Sequence, residues 1–264
     1  LAAVRAASGD RSGVADPSRH LVYGLHAVQA VVQRAPERIL ELWVREERGD
    51  ARMRELVEQA RAAGLKVQPA SAATLDKLAT GGVHQGVIAR VRPPAAWDEA
   101  RLSDLVERLT APPLLLALDG ITDPHNLGAC LRSAEAAGVD AVIAPRDRSA
   151  GLDATASKVA AGAAEFVPFV TVTNLVRTLK SLQQQGLWVV GLAGEAGQVL
   201  FEVDLKGPVV LVAGAEGSGL RRLTRESCDV LARIPMAGQV SSLNVSVSVG
   251  VALFDAVRQR IAGR

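Results

Sequence analysis

Aromatic side chains are scarce in this 264-residue chain: four Phe, three Trp and one Tyr, 3% of the total. If a nucleic acid binds, stacking on an aromatic platform is therefore not the main way it is held. Cysteine is nearly absent as well. Cys130 and Cys228 form neither a disulfide framework nor a metal-ligand spacing, so they read as two buried thiols in a reducing cytoplasm, and no metal is expected. No apolar run approaches the ~18–20 residues needed to span a bilayer, which excludes a helical membrane anchor within this sequence. Charge of one sign is lacking too. Lys and Arg number 30 against 28 Asp and Glu, too narrow a margin to argue for a nucleic-acid partner on its own. The distribution says more: residues 20–93 carry 11 basic and 8 acidic side chains, whereas 113–264 carry 14 of each. The N-terminal excess points toward an anionic partner.

What is present is a soluble globular composition, 48% hydrophobic and 22% charged, with chain enough for one large domain or two ordinary ones. Residues 1–19 show no periodicity and no apolar core of a signal peptide, and read as a disordered arm; a start at Leu1 rather than Met allows for residues upstream. Residues 20–93 read as a small α/β domain. A helical pattern follows Gly24, a strand covers 39–44, and a helix over 53–63 stops at Gly64. A strand at 65–67, a short helix at 74–78 and a strand at 86–91 complete it. Arg92-Pro93-Pro94 ends the unit, and 94–112 is expected to be a linker containing a short polar helix near 102–109. Beyond it, strands at 114–118, 141–144, 166–172, 187–192, 209–212 and 230–234 alternate with helices at 126–137, 157–164, 174–185 and 245–261. Near-continuous apolar strands separated by helices imply a parallel sheet covered on both faces.

Three polar clusters begin where apolar strands stop. They are Asp119-Gly120-Ile121-Thr122-Asp123-Pro124-His125-Asn126-Leu127-Gly128-Ala129, Gly214-Ala215-Glu216-Gly217-Ser218-Gly219, and Ile234-Pro235-Met236 running into Ser241-Ser242-Leu243-Asn244. In an α/β protein ligands bind in the crevice at such strand ends. Asp123-Pro124 is a helix start, with an Asp cap and Pro at the first helical position. Asn126 then falls near free backbone N–H groups that favour a polar ligand atom, or is itself a turn residue. Arg132 follows six residues later, about 240° around a helix at roughly 100° per residue. It is either a ligand contact or a surface ion pair. The second cluster is neither a Walker loop nor a G-x-G-x-x-G fingerprint. Glycines flanking Glu216 permit close approach of a ligand to backbone. Arg221, Arg222 and Arg225 either contact phosphates or form a solvated helix face. Small residues over 245–251 suggest tight burial, against this chain or a second subunit.

Taken together, these clusters resemble the SpoU (TrmH) family of S-adenosylmethionine-dependent RNA ribose 2′-O-methyltransferases. Asn126 and Arg132 match its D-P-x-N-x-G-A plus Arg; Gly214, Glu216, Gly217 and Gly219 match G-x-E-G-x-G; Ile234, Pro235, Met236, Ser242, Leu243 and Asn244 match I-P-M…S-L-N. Tyr23-Gly24-Leu25-His26-Ala27-Val28, Val83-His84-Gln85-Gly86 and residues 126–148 further resemble the bacterial enzymes that methylate a guanosine ribose in 23S rRNA. The resemblance implies a SPOUT-type α/β domain over 113–264 with a parallel sheet and a deep trefoil knot. It also implies an RNA-holding domain over 20–93 like ribosomal protein L30e, and a cytoplasmic homodimer formed through the knotted region. Carried over, the catalytic set is Asn126, Arg132, Glu216, Ser242 and Asn244. Gly214, Glu216, Gly217, Ile234, Met236 and Leu243 would hold the S-adenosylmethionine. Because a guanidinium stays protonated, Arg132 is assigned to gripping phosphate and orienting the nucleophile. Arg146, Arg148, Lys158, Arg221, Arg222 and Arg225 are assigned to RNA. Two rivals differ in kind: the same chemistry on tRNA or another rRNA site, and a non-catalytic RNA-binding assembly factor, which would have no need of donor loops.

Overall fold

The computed structural model describes residues 20–46 and 50–263; the arm expected at 1–19 lies outside the described residues. The chain divides between Pro93 and Pro94 into two units. The first contains β1 (Leu21–Tyr23), α1 (Leu25–Arg34), β2 (Ile39–Arg45), α2 (Ala51–Ala62), β3 (Val67–Ala70), α3 (Ala72–Ala79) and β4 (Val87–Val91). Its sheet runs β1-β4-β2-β3, antiparallel except for the parallel β2–β3 ladder. β1 is too short to show an alternating pattern and was not foreseen. β3 begins later than the expected strand at 65–67 because Leu65 N–H donates to Ala60 O at 2.9 Å and finishes the end of α2. α1 has no cap of its own: Leu25 N–H donates to Gln85 Oε1 at 2.9 Å, which ties the Tyr23–Val28 segment to the Val83–Gly86 segment. Gly82 lies against them, and a Cβ there would lie 2.5 Å from the Tyr23 ring, which would have to move aside.

The second unit contains α4 (Glu99–Arg108), β5 (Leu114–Asp119), α5 (Pro124–Ala136), β6 (Ala141–Pro145), α6 (Ala154–Val159) and β7 (Phe169–Val172). It continues with α7 (Leu175–Gln184), β8 (Trp188–Leu192), β9 (Gln198–Val199), β10 (Val209–Gly214), α8 (Arg222–Glu226), β11 (Val230–Arg233) and α9 (Val245–Ala262). The seven-stranded sheet has the order β7-β6-β5-β10-β8-β11-β9, and each ladder is parallel. Along β5, Leu114, Leu116 and Leu118 join a core with Leu127, Leu131 and Leu253. Leu115 and Ala117 point the other way, into a core with Ile143, Val170 and Leu179. Two covered faces explain why the strands lack polar alternation. Cys130 is buried in the first core and its thiol is pushed up to about 12 by burial. Cys228 reaches about 12 as well, from burial first and then Asp229 and Asp119.

Two expectations are corrected. Residues 94–112 are not a linker: Asp98 caps α4 through Arg101 N at 2.9 Å, and Leu102 and Val106 are buried in the second core. Polar residues dominate α4, and only its i, i+4 apolar pair betrays the buried stripe. The helix expected at 157–164 starts earlier and ends earlier. Asp153 caps it through Ala156 N at 2.8 Å, and Ala161 (φ 52°) and Gly162 (φ 94°) break it before a 3₁₀ turn at Ala163–Glu165. The following strand waits until Phe169, after Pro168. β9 was not foreseen, being too short for a periodic signal; α8 forms the helix that was one of the two readings of Arg221, Arg222 and Arg225.

Arg260 fastens the end of α9 to the sheet. Its guanidinium donates to Leu205 O at 3.1 Å, Pro112 O at 2.8 Å, Pro113 O at 3.0 Å and Gly207 O at 2.7 Å. Arg260→Ala leaves these carbonyls without their shared donor and is expected to cost about 2 kcal/mol. For a unit of this size that lowers Tm by roughly 4–8 °C. Thermal denaturation checks it, and an unchanged Tm would mean that water satisfies the carbonyls equally well.

Candidate active site

Because the strands are parallel, β5, β8, β10 and β11 open their carboxyl ends on one edge of the sheet. β5 ends at Asp119, Gly120 turns the chain at φ 81°, and Asp123 accepts His125 N–H at 2.9 Å to start α5. Asn126 thus sits on the first turn of α5. β10 ends at Gly214, after which Ala215 and Gly219 exchange backbone hydrogen bonds of 3.1 and 2.8 Å. The loop between them carries Glu216. A Cβ on Gly214 would lie 2.1 Å from the Gly219 carbonyl carbon, so the loop closes only over glycine. After β11, Asn244 caps α9, its Oδ1 accepting from Ser246 N at 2.9 Å and Ser246 Oγ at 2.6 Å.

The three clusters meet in one hydrogen-bonded chain. Asn244 Nδ2 donates to Asn126 Oδ1 at 3.0 Å, and Asn126 Nδ2 donates to Glu216 Oε2 at 3.3 Å. The helix cap dictates the direction. Asn244 must present its oxygen to Ser246, so its nitrogen faces Asn126, whose own nitrogen is left for the carboxylate. Donors aligned head to tail polarise one another and hold Glu216 in place.

Beside this chain lies a cavity of about 480 Å³, within the range that binds small organic ligands. Gly214, Glu216, Gly217, Ile234, Met236, Ser242 and Leu243 line it, together with Leu220, Glu195 and Arg225. The bare backbone of the glycine loop, an apolar wall and carboxylates suit a ligand with a flat apolar part and a cationic centre. Among the described residues no cluster of His, Cys, Asp and Glu could hold a metal.

Arg132 stands apart. It is exposed on α5 and does not line the cavity, as its angular offset from Asn126 on the helix implies, and its side chain has no ion pair or hydrogen bond among the described residues. The cations assigned to RNA divide into two sets. Arg146, Arg148 and Lys158 are exposed. The other three are engaged within the protein, so they are not a bare phosphate-binding cluster. Arg221 N–H donates to Asp119 Oδ2 at 2.8 Å, and its guanidinium lies 3.6 Å from Asp119 Oδ1 and donates to Arg148 O at 3.1 Å. Gly120 leaves room for it: a Cβ there would lie 2.9 Å from Arg221 Nη2. Arg222 pairs with Glu226 at 2.9 Å. Arg225 pairs with Glu195.

Sequence reasoning missed Asp119 as a partner of Arg221 and Glu195 as a cavity residue. Glu195 is held below the usual carboxylate range by a hydrogen bond from its own backbone N–H and by Arg225. Its signal was present in Ala193-Gly194-Glu195, a Gly/Glu turn after an apolar strand like the one at 214–216.

Comparison with known proteins agrees with this arrangement. The model of the SpoU rRNA Methylase family matches residues 113–254, and the model described as RNA 2′-O ribose methyltransferase substrate binding matches 21–97. The 23S rRNA (guanosine-2′-O-)-methyltransferase RlmB of Pseudomonas aeruginosa is 60% identical over 239 residues, 90% of this chain and 96% of that protein. The protein of that name from Escherichia coli is 56% identical over 240 residues, 91% and 98%. Among solved structures, the SpoU methyltransferase AviRb from Streptomyces viridochromogenes, in complex with AdoMet, superposes with a TM-score of 0.74 at 26% identity, covering 97% of this chain and 96% of that one. An RNA 2′-O ribose methyltransferase superposes with a TM-score of 0.73 at 29% identity, covering 96% and 93%. The chain belongs to the SpoU rRNA methylase family, as a SPOUT-type parallel α/β methyltransferase domain preceded by a small α/β substrate-binding unit.

Proposed function

We infer that this protein methylates the ribose 2′-oxygen of a guanosine in 23S rRNA of the large ribosomal subunit, using S-adenosylmethionine. The observation that carries the reading is the Glu216–Asn126–Asn244 chain, which fixes the cavity-lining Glu216 from outside, in a chain 56–60% identical to proteins named for that reaction. S-adenosylmethionine, when bound, supplies a methyl group on a sulfonium, already a good leaving group. The protein is left to align the hydroxyl and handle its proton. The glycine loop at Gly214 and Gly217, with Ile234, Met236 and Leu243, would hold the donor, and Ser242 shapes the loop beside it. Glu216, fixed by Asn126, accepts the hydrogen bond of the 2′-hydroxyl and orients its lone pair. Arg132, exposed on α5, takes the substrate phosphate from outside the cavity.

RNA is held by the N-terminal unit and by Arg146, Arg148 and Lys158. Replacing these three by Ala is expected to flatten the dependence of log K on log salt by about 2, at roughly 0.7 for each single-strand phosphate that is no longer neutralised. An unchanged slope in filter binding would remove them from the interface. The same reading includes the trefoil knot in the C-terminal unit, a homodimer through it and a cytoplasmic site of action. Val247, Phe254 and Ile261, 48, 49 and 66% exposed, recur every seventh residue along α9, an apolar stripe that a second copy would cover.

The test is transfer of labelled methyl from S-adenosylmethionine to undermethylated 23S rRNA fragments, followed by mapping of the modified nucleotide. A single 2′-O-methylguanosine is expected. Label in tRNA or at another nucleoside would move the substrate assignment, and RNA binding without transfer would make this a binding factor.

A further inference from the structure

Two carboxylates line the cavity, and the asparagine chain accounts only for Glu216. Glu195 lies just past the carboxyl end of β8, on a turn pinned by Ala193 N–H donating to Ala232 O at 3.0 Å and Ala196 N–H to Ala193 O at 3.1 Å. The turn faces the Ser241–Leu243 loop: the atom nearest to a Cβ built on Gly194 is Ser241 O, at 4.0 Å. Arg225 reaches Glu195 from α8, and both side chains line the cavity. With the two side chains 60% and 37% exposed, this pair adds little to stability, so the needs of the fold do not explain why it stands here. Its chemistry does. A carboxylate whose charge is balanced by a guanidinium no longer selects for cations, yet it remains a strong acceptor of neutral O–H donors. A vicinal diol offers two such donors to one carboxylate. Strand-end carboxylates in α/β nucleotide sites meet ribose hydroxyls in this way. Glu216, by contrast, has no ion-pair partner among the described residues and is held by Asn126 instead.

We propose that Glu195 is the acceptor for the ribose diol of the methyl donor and that Arg225 holds it in position across the cavity mouth. This rests on the donor-binding reading above. Calorimetric titration of the full chain with S-adenosylhomocysteine and its 2′-deoxy and 3′-deoxy analogues tests it without any methyl transfer. The unaltered protein binds the parent at least about tenfold more tightly than either analogue, because a site built around a hydroxyl is left with an unpaired acceptor when the hydroxyl is missing. In Glu195→Ala the parent falls to the level of the analogues and the preference shrinks to within about twofold. Glu195 is exposed, so Tm stays unchanged and misfolding does not confuse the result. A preference that survives Glu195→Ala overturns the assignment and leaves the donor site intact. Absence of any binding by the unaltered protein overturns both.

Discussion

Gly214→Ala is expected to abolish donor binding and to destabilise the C-terminal unit by about 3 kcal/mol. The new Cβ would lie 2.1 Å from the carbonyl carbon of Gly219, 2.3 Å from its oxygen and 2.3 Å from Leu220 N. All three are backbone atoms, so no rotamer change relieves the overlap. The loop must open, which breaks the Ala215–Gly219 pair and carries Glu216 away from Asn126. Roughly 6–12 °C of Tm follows from that cost in a unit of this size. Gly217→Ala is the control. Nothing lies within 4 Å of its Cβ, and only its φ of 79° is unfavourable, worth about 1–2 kcal/mol. That variant should still bind S-adenosylhomocysteine. If Gly214→Ala bound it within about threefold of the unaltered protein, the loop would not be the close-fitting cradle the geometry describes.

Asn126→Ala is expected to lower methyl transfer by about 10²–10³-fold while donor affinity stays within about threefold. Asn126 lies outside the cavity lining but fills the middle of the chain from Asn244 to Glu216. Its loss frees the Glu216 carboxylate to wander by the ångström or so that alignment cannot tolerate. Asn126→Asp isolates the cause. It keeps shape and the bond from Asn244 but sets one carboxylate against another across 3.3 Å. Two such groups cannot both ionise comfortably, so one pKa rises and the pair shares a proton as the pH falls. The shared proton restores a donor toward Glu216, and the deficit of Asn126→Asp should therefore narrow toward acid pH. Single-turnover rates across pH, beside calorimetry, decide this. A deficit independent of pH, or a loss confined to donor affinity, would remove Asn126 from the alignment of the nucleophile.

Much of the C-terminal sheet was legible because periodicity is local. A run such as Leu114–Leu118, apolar on both faces and closed by Asp119-Gly120, has few ways to be stable outside a covered parallel sheet. α4 was misread because the same rule fails for a helix with a narrow buried stripe: only Leu102 and Val106 of its ten residues are buried, and six of the others are charged or polar. The C-terminal end of α6 moved because Ala161 adopts a left-handed backbone, a choice that alanine does not announce.

The amino-acid sequence by itself determined the residue types of the site and the strand ends that bear them. A proline after an aspartate, glycines around one glutamate and an asparagine before a long helix are local signals that act over a turn or two of chain. Tertiary structure alone decided which of those groups meet. Asn126 and Glu216 are 90 residues apart, and Asn126 and Asn244 are 118 apart, so the order in which the strands are laid down makes them neighbours. The same ordering paired Arg221 with Asp119 and Arg225 with Glu195, and left Arg132 without a partner among the described residues. The charge of a side chain is written in the chain, but its partner is a property of distance in space.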